Sequence, residues 1–322
     1  MILNQDEIEL EQRDCYGKLK TITLSWSRLS DWFVCKQRVK LYHTGGRSST
    51  VNTRNFLCGK VVDLVMRETL DNASRDSSGR IQSIDRDDMM GRLPDVWERC
   101  LVPEEGRLLK WNGTDVKDDQ KKILNQAKAA TSSLHPILVD KVVGRRVIPE
   151  FRPATMPAFG IPLPDGGTGY IRLFLGIDLL IQEEEDGDRL GEWGIWDLKA
   201  TAYDSYIPKT LWQLVFYDLA YQALTGKYAK THGLITPLLD KKIHSIVVDD
   251  EHRDQMASWI VQYCHSVWAG EEDFVSPDKE KEACFGCPTR NACPKIVHPL
   301  TKDEQGLTWA RFDTKRPGLM KR

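Results

Sequence analysis

Residues 170–201 read YIRLFLGIDLLIQEEEDGDRLGEWGIWDLKAT. Two runs rich in branched and aromatic residues flank a charged, glycine-containing connection, the pattern of a β-hairpin with a long loop. Side chains alternate faces along a strand with period two. Asp197 and Lys199 therefore share one face, while Trp196 and Leu198 point to the other. Asp178 stands in the first strand among Ile177, Leu179, Leu180 and Ile181, where an unpaired carboxylate is expensive. A charge in that position calls for a partner or a metal ion.

Toward the C-terminus, Pro208 suits a first helical turn and leads into KTLWQLVFYDLAYQALTG, which Gly226 closes. Gln213 and Tyr217 are four residues apart and share a face of that helix. A short apolar strand follows at 243–248 and a helix at 251–269. Toward the N-terminus, residues 142–151 (VVGRRVIPEF) form a strand with Glu150 near its end, followed by the breaker-rich RPATMPAFGIPLPDGG. Residues 93–139 are mostly helical, with Trp97, Leu101, Ile123, Leu124 and Leu134 as core positions. The polar stretch 71–92 reads as an exposed loop.

A helix over 55–70 carries Gly59 at a close approach and Asp63 on its surface. The helix within 24–43 is capped by Ser25 or Ser27, repeats Leu29, Trp32, Phe33 and Val39 at helical spacing, and contains Cys35. Residues 1–20 read as an arm with at most one short strand. Strands, then a helix, then a strand imply an α/β fold: a mixed sheet with helices against it. The expected division is 1–60, N-terminal arm and first helix; 61–140, helical insertion; 141–270, core; 271–322, cysteine-bearing loop and basic tail.

The 322 residues suffice for a sizeable core. With a net charge of −2 there is no global basic signature, so a nucleic-acid partner has to be held by local patches. No signal peptide or membrane-spanning run is evident, which points to a cytoplasmic, reducing compartment. There, eight cysteines argue for metal or cluster ligation over disulfides. No internal repeat and no phosphate-binding loop of the motor type is present.

Hydrolysis of a phosphodiester needs a divalent ion on hard oxygen ligands, an activated water and a cation for the developing charge. Asp178 and Asp197 supply oxygens, and the carbonyl of Leu198 adds a third. Lys199 is placed to orient the water or stabilise the transition state. Gln213 and Tyr217 offer hydrogen bonds to a phosphate or to Lys199. A D-x-K triplet alone is also common at strand ends as a solvated or salt-bridged pair, so the upstream aspartate is what gives it weight.

Cys284, Cys287 and Cys293 present three thiols in a short loop, and a tetrahedral site needs a fourth. Zinc and iron–sulfur both use four thiolates, and the local pattern leaves both open. Cys35 taken alone reads as a small buried residue, and the remaining cysteines as ordinary thiols. Trp193, Trp212 and Trp309 read as core or as base-stacking platforms. Lys117, Lys121, Lys122 and Lys128 read as a solvated helical face or as phosphate contacts. The seven histidines show no ligand spacing.

Together the pieces resemble the PD-(D/E)XK nucleases of the RecB type, especially those with an iron–sulfur cluster. The matching segments run from about Leu24 to Pro294. They are the S-x-S-R-L…C helix at 25–35, the helix led by Gly59, GIDLL at 176–180, WDLKAT at 196–201, QLVFY at 213–217 and the terminal cysteines. The chain is similar to the CRISPR-associated Cas-four family and to the nuclease domains of AddB and RecB. The resemblance implies a restriction-endonuclease-like fold, clipped between its N- and C-terminal regions by the cluster.

It also implies a Mg²⁺- or Mn²⁺-dependent DNA exonuclease acting on ends, single strands preferred, in recombination, repair or replication of a bacterial or phage genome. Glu150, Asp178, Asp197, Lys199, Gln213 and Tyr217 would be its catalytic set, and Asp63, Asp178, Asp197 and Leu198 its metal ligands. Cys35, Cys284, Cys287 and Cys293 would hold a structural [4Fe-4S] cluster. Partners fitting that reading are a helicase, a recombinase or the CRISPR-adaptation machinery, with no membrane. Two departures stand out: the family's usual histidine four residues after the helix glycine is Asp63 here, and Lys36 replaces the proline that commonly follows the first cysteine. The alternative is a DNA-end-binding scaffold with a degenerate centre.

Overall fold

The computed structural model describes residues 2–3, 21–35, 54–102, 115–163, 166–183, 192–200 and 207–268. Its centre is the expected hairpin. Strands β6 (Ile177–Gln182) and β7 (Trp193–Leu198) pair antiparallel, with Leu179 opposite Trp196 and Leu180 opposite Ile195. Strand β3 (Val147–Phe151) lies antiparallel on the free side of β6, with Val147 opposite Ile181. On the other side β8 (Thr231–Thr236) runs parallel to β7, placing Leu234 opposite Asp197, and β9 (Lys242–Ile246) closes the sheet. The order is β3-β6-β7-β8-β9.

The first apolar run of 170–201 is not one strand. Its front half is β5 (Thr168–Phe174), which belongs to a second sheet with β1 (Ile2–Leu3), β4 (Ala158–Pro162) and β2 (Thr21–Ser25), in the order β1-β4-β5-β2. Strand β2 is parallel to β5, whereas β4 is antiparallel to it. The chain changes sheet at Leu175 and Gly176. Both halves need a half-buried strand, so the apolar pattern carries straight through the switch. For the same reason β2 was absorbed into the helix it precedes, and β4 was hidden among prolines and glycines.

Two helical layers cover the five-stranded sheet. On one face lie α2 (Arg54–Asp71), α3 (Arg86–Leu101) and α4 (Val116–Val142). Val61, Val65 and Met66 of α2, Leu93 and Trp97 of α3, and Ile123 and Leu134 of α4 pack with Leu179, Ile181, Trp196 and Leu198. On the other face lie α1 (Trp26–Val34), α5 (Ile207–Thr225) and α6 (Asp250–Trp268). Leu29, Leu214, Phe216, Met256 and Tyr263 pack there with Leu180, Ile195 and the second sheet's Ile22, Leu24 and Leu173. Two mixed sheets and six helices among the described residues are consistent with a restriction-endonuclease-like α/β fold. No helix among them is long and apolar enough to cross a membrane.

Local signals explain the helix ends. Ser25 caps α1, its side chain accepting from the Arg28 N–H at 3.4 Å. Gly226, with φ of 79°, ends α5 in the left-handed region. The loop expected over 71–92 is corrected: α3 already begins at Arg86, capped by Asp85, which accepts from the Asp88 N–H at 2.8 Å. The polar first turn with Asp87 and Asp88 concealed the helix start. Gly59 is corrected too, since a Cβ added there meets no atom within 4 Å. Gly233, by contrast, is a close approach. It lies opposite Trp196, and a Cβ there would sit 2.0 Å from the indole.

Candidate active site

The hairpin's alternation sends Trp196 and Leu198 to the α2–α4 layer and leaves Asp197 and Lys199 toward α5. One register step past the Leu179–Trp196 pair puts Asp178 opposite Asp197. Asp178 Oδ2 accepts from the Leu198 N–H at 2.9 Å. The Lys199 ammonium lies 2.6 Å from Asp197 Oδ2 and donates to Gln213 Oε1 at 3.2 Å. Gln213 returns its Nε2 to Asp197 Oδ1 at 2.9 Å and to the Tyr217 hydroxyl at 3.1 Å. Helical spacing on α5 brings Gln213 and Tyr217 to the same spot. Five of the expected residues, drawn from three elements, therefore meet in one cluster.

Its electrostatics follow from burial. Asp197 is only 1% exposed. Its Oδ2 is paired with the Lys199 ammonium. Burial, then the Asp197 charge, push the Asp178 carboxyl up to about 8, against the pull of Lys199. Burial likewise raises Asp197, with Lys199 opposing. Burial works against the Lys199 ammonium, yet Asp197 and Asp178 together raise its pKa above the usual value. Burial and the two carboxylates raise the Tyr217 phenol. One buried and one half-buried acid thus face a single ammonium.

Asp63 and Glu150 stand at the edge of this cluster. The Asp63 charge acts on both Asp178 and Asp197. Glu150 falls opposite Asp178 in the β3–β6 register and has a left-handed φ of 49°. Both are held by Arg67 of α2, which reaches Asp63 at 2.7 Å and pairs with Glu150 through its other terminal nitrogen. Arg152 pairs with Glu150 at 2.8 Å. Sequence reading passed over Arg67, although its place four residues after Asp63, on the same helical face, was a usable signal. Among the described residues, no group of three or more Asp, Glu, His or Cys converges as a metal site. The carboxylates are turned to protein donors instead, Asp63 and Glu150 to the same Arg67.

The donor chemistry still fits a hard divalent cation. Asp178, Asp197 and the Leu198 carbonyl are oxygen ligands of the kind Mg²⁺ and Mn²⁺ take, and Asp197 Oδ2 is met by a single cation, the Lys199 ammonium. Asp63 would first have to part from Arg67. Cys35 caps the C-terminus of α1, its N–H donating to the Asp31 carbonyl at 2.8 Å, and its thiol is free and half-buried. Cys284, Cys287 and Cys293 lie outside the described residues, as does Trp309. Cys58, Cys100 and Cys264 are buried, and burial pushes Cys264 up to about 12. Trp212 packs against Trp259 at 4.5 Å and against His252, which accounts for it as core.

A model of the PD-(D/E)XK nuclease superfamily matches residues 23–294, a span that takes in the whole cluster and the three C-terminal cysteines. None of the curated proteins matches the chain.

Proposed function

Since this chain belongs to the PD-(D/E)XK nuclease superfamily, we propose that it is a metal-dependent deoxyribonuclease degrading DNA from free ends, with single strands preferred. The carrying observation is the convergence of Asp178, Asp197, Lys199, Gln213 and Tyr217 in one cluster about the buried Asp197 carboxylate and the Lys199 ammonium paired with it. Asp178, Asp197 and the Leu198 carbonyl would hold Mg²⁺ or Mn²⁺, with Asp63 as a further ligand. When bound, the ion supplies Lewis-acid charge at the phosphate.

The chain's own residues do the rest. Lys199 orients the attacking water and offsets charge on the phosphoryl oxygens, as a fixed cation in a dry site. Gln213 bridges Asp197 and Lys199, so it sets the direction of both. Tyr217, kept protonated by its raised pKa, anchors Gln213. Glu150, beside Asp178 and tied to Arg67 and Arg152, belongs to the same acidic edge. The test is cleavage of end-labelled single-stranded and duplex DNA with Mn²⁺ or Mg²⁺, alongside Asp197→Ala. Metal-dependent degradation lost in the variant supports the reading. Inertness of well-folded protein toward both substrates overturns it.

We further propose that Cys35, Cys284, Cys287 and Cys293 ligate a structural [4Fe-4S] cluster. Iron and sulfide analysis of anaerobically purified protein should find the cluster, and Cys284→Ser should lose it and destabilise the fold. Full cluster content in that variant would refute the ligand set. The setting that fits is cytoplasmic DNA recombination, repair or replication in a bacterial or phage-infected cell, beside a helicase, a recombinase or CRISPR-adaptation proteins. One observation favours a second reading, a binding scaffold with a degenerate centre: Asp63, where the family has histidine, is occupied by Arg67. Metal-dependent turnover separates the two.

A further inference from the structure

A cleft of about 350 Å³ has a lining that includes Thr23, Arg172, Phe174, Met156, Pro153 and Pro157. Its walls come from two stretches that lead in sequence to Glu150 and Asp178. Residues 153–157 follow β3 just past Glu150. Arg172 and Phe174 end β5 immediately before the chain crosses to Asp178. Arg152 joins the two walls: it pairs with Glu150 at 2.8 Å, and its Nε and the Phe174 ring both border Gly176, 3.7 and 3.8 Å from where a Cβ would stand. Arg152 thus ties Glu150, at the edge of the cluster, to the rim of the cleft.

The lining has a definite chemistry. Phe174 is 49% exposed, although it ends a strand whose other large apolar side chains are buried. Arg172 is two residues back and so shares its face, with Thr23 opposite in the neighbouring strand. Arg172 has no carboxylate partner among the described residues. A bare aromatic ring and an uncommitted guanidinium on one face match one nucleotide, the base stacking on the ring and the phosphate meeting the cation. The volume lies within the range of small-ligand sites. We propose that this cleft is a nucleotide subsite holding one unpaired nucleotide of the DNA strand beside the scissile phosphodiester.

The subsite rests on the nuclease reading and gives a reason for its strand preference, because a base must leave its duplex stack to lie on Phe174. Phe174 is exposed enough that its replacement leaves the core intact. The test uses the full chain carrying Asp197→Ala, so that DNA binds without being cut, and a short single-stranded oligonucleotide containing 2-aminopurine. With Phe174 present, binding should change the probe's fluorescence through stacking. Adding Phe174→Ala should weaken binding about tenfold and abolish that change, whereas Phe174→Trp should retain both.

Arg172→Gln should weaken binding and flatten its salt dependence. Equal affinity and equal fluorescence change with and without Phe174 would overturn the subsite while leaving the nuclease reading untouched. Failure of the Asp197→Ala parent to bind the oligonucleotide, together with inertness of the wild type toward DNA, would overturn both.

Discussion

Asp197 and Asp218 are both aspartates with almost no exposure, 1% and 0%, and they behave in opposite ways. Asp218 Oδ1 accepts from the Ala229 N–H at 2.8 Å and lies 3.1 Å from His232 Nε2, while Oδ2 accepts from Arg253 Nε at 2.8 Å. Arg253 is itself seated over the Tyr228 ring. Burial alone would raise Asp218, but His232 and Arg253 hold it below the usual carboxylate range. It staples α5 to β8 and α6. Asp197 meets Gln213 and Lys199, has a second acid opposite it, and has its pKa pushed up. Burial does not mark a reactive carboxylate; a buried carboxylate whose surroundings leave its pKa raised does.

The contrast can be broken most directly at its two centres. Asp197→Ala and Lys199→Ala should each lower DNA cleavage by about 10³-fold or more while leaving the urea midpoint of metal-free protein almost unchanged. Asp218→Ala should do the reverse. It removes the acceptor of the Ala229 N–H and of His232 and leaves the half-buried Arg253 only Asp250, destabilising the fold by about 1–3 kcal/mol in urea unfolding, with cleavage per folded molecule retained. If Asp197→Ala proved the more destabilising of the two, the distinction would collapse.

A gentler probe tests the packing that supports the site. Gly233→Ala drives a methyl into the Trp196 indole, and should cost about 1–3 kcal/mol of stability, read as a lowered Tm.

Acidity sharpens the contrast. A carboxyl raised in the folded state favours folding while protonated, so the Asp178 contribution is complete below the unfolded pKa of about 4 and is lost as pH rises toward about 8. A depressed carboxyl acts oppositely: the Asp218 contribution is present above that unfolded value and is lost as pH falls. Urea unfolding across pH should show Asp178→Asn gaining on wild type at alkaline pH and Asp218→Asn losing most at neutral pH. Mn²⁺ should reduce the alkaline loss of the wild type.

The smallest effect is expected at the edge. Arg67→Met removes the cation that holds Asp63 and Glu150, and should tighten Mn²⁺ binding several-fold in calorimetry. Weaker binding would show instead that Arg67 positions these carboxylates for the ion.

What the sequence determined by itself is what short periods encode. Alternation placed Asp197 and Lys199 together and opposite Trp196, and helical spacing paired Gln213 with Tyr217. Asp178 was legible because a charge in an apolar strand demands a partner wherever the strand sits. Tertiary structure alone decided which partner each group finds. It set the change of sheet at Leu175–Gly176, the bridge from Arg67 to Asp63 and Glu150, and the clamp of His232 and Arg253 on Asp218. A repeat of two or 3.6 residues specifies which face a side chain takes. Whether a buried charge there is satisfied depends on groups brought in from distant parts of the chain, and only packing brings them.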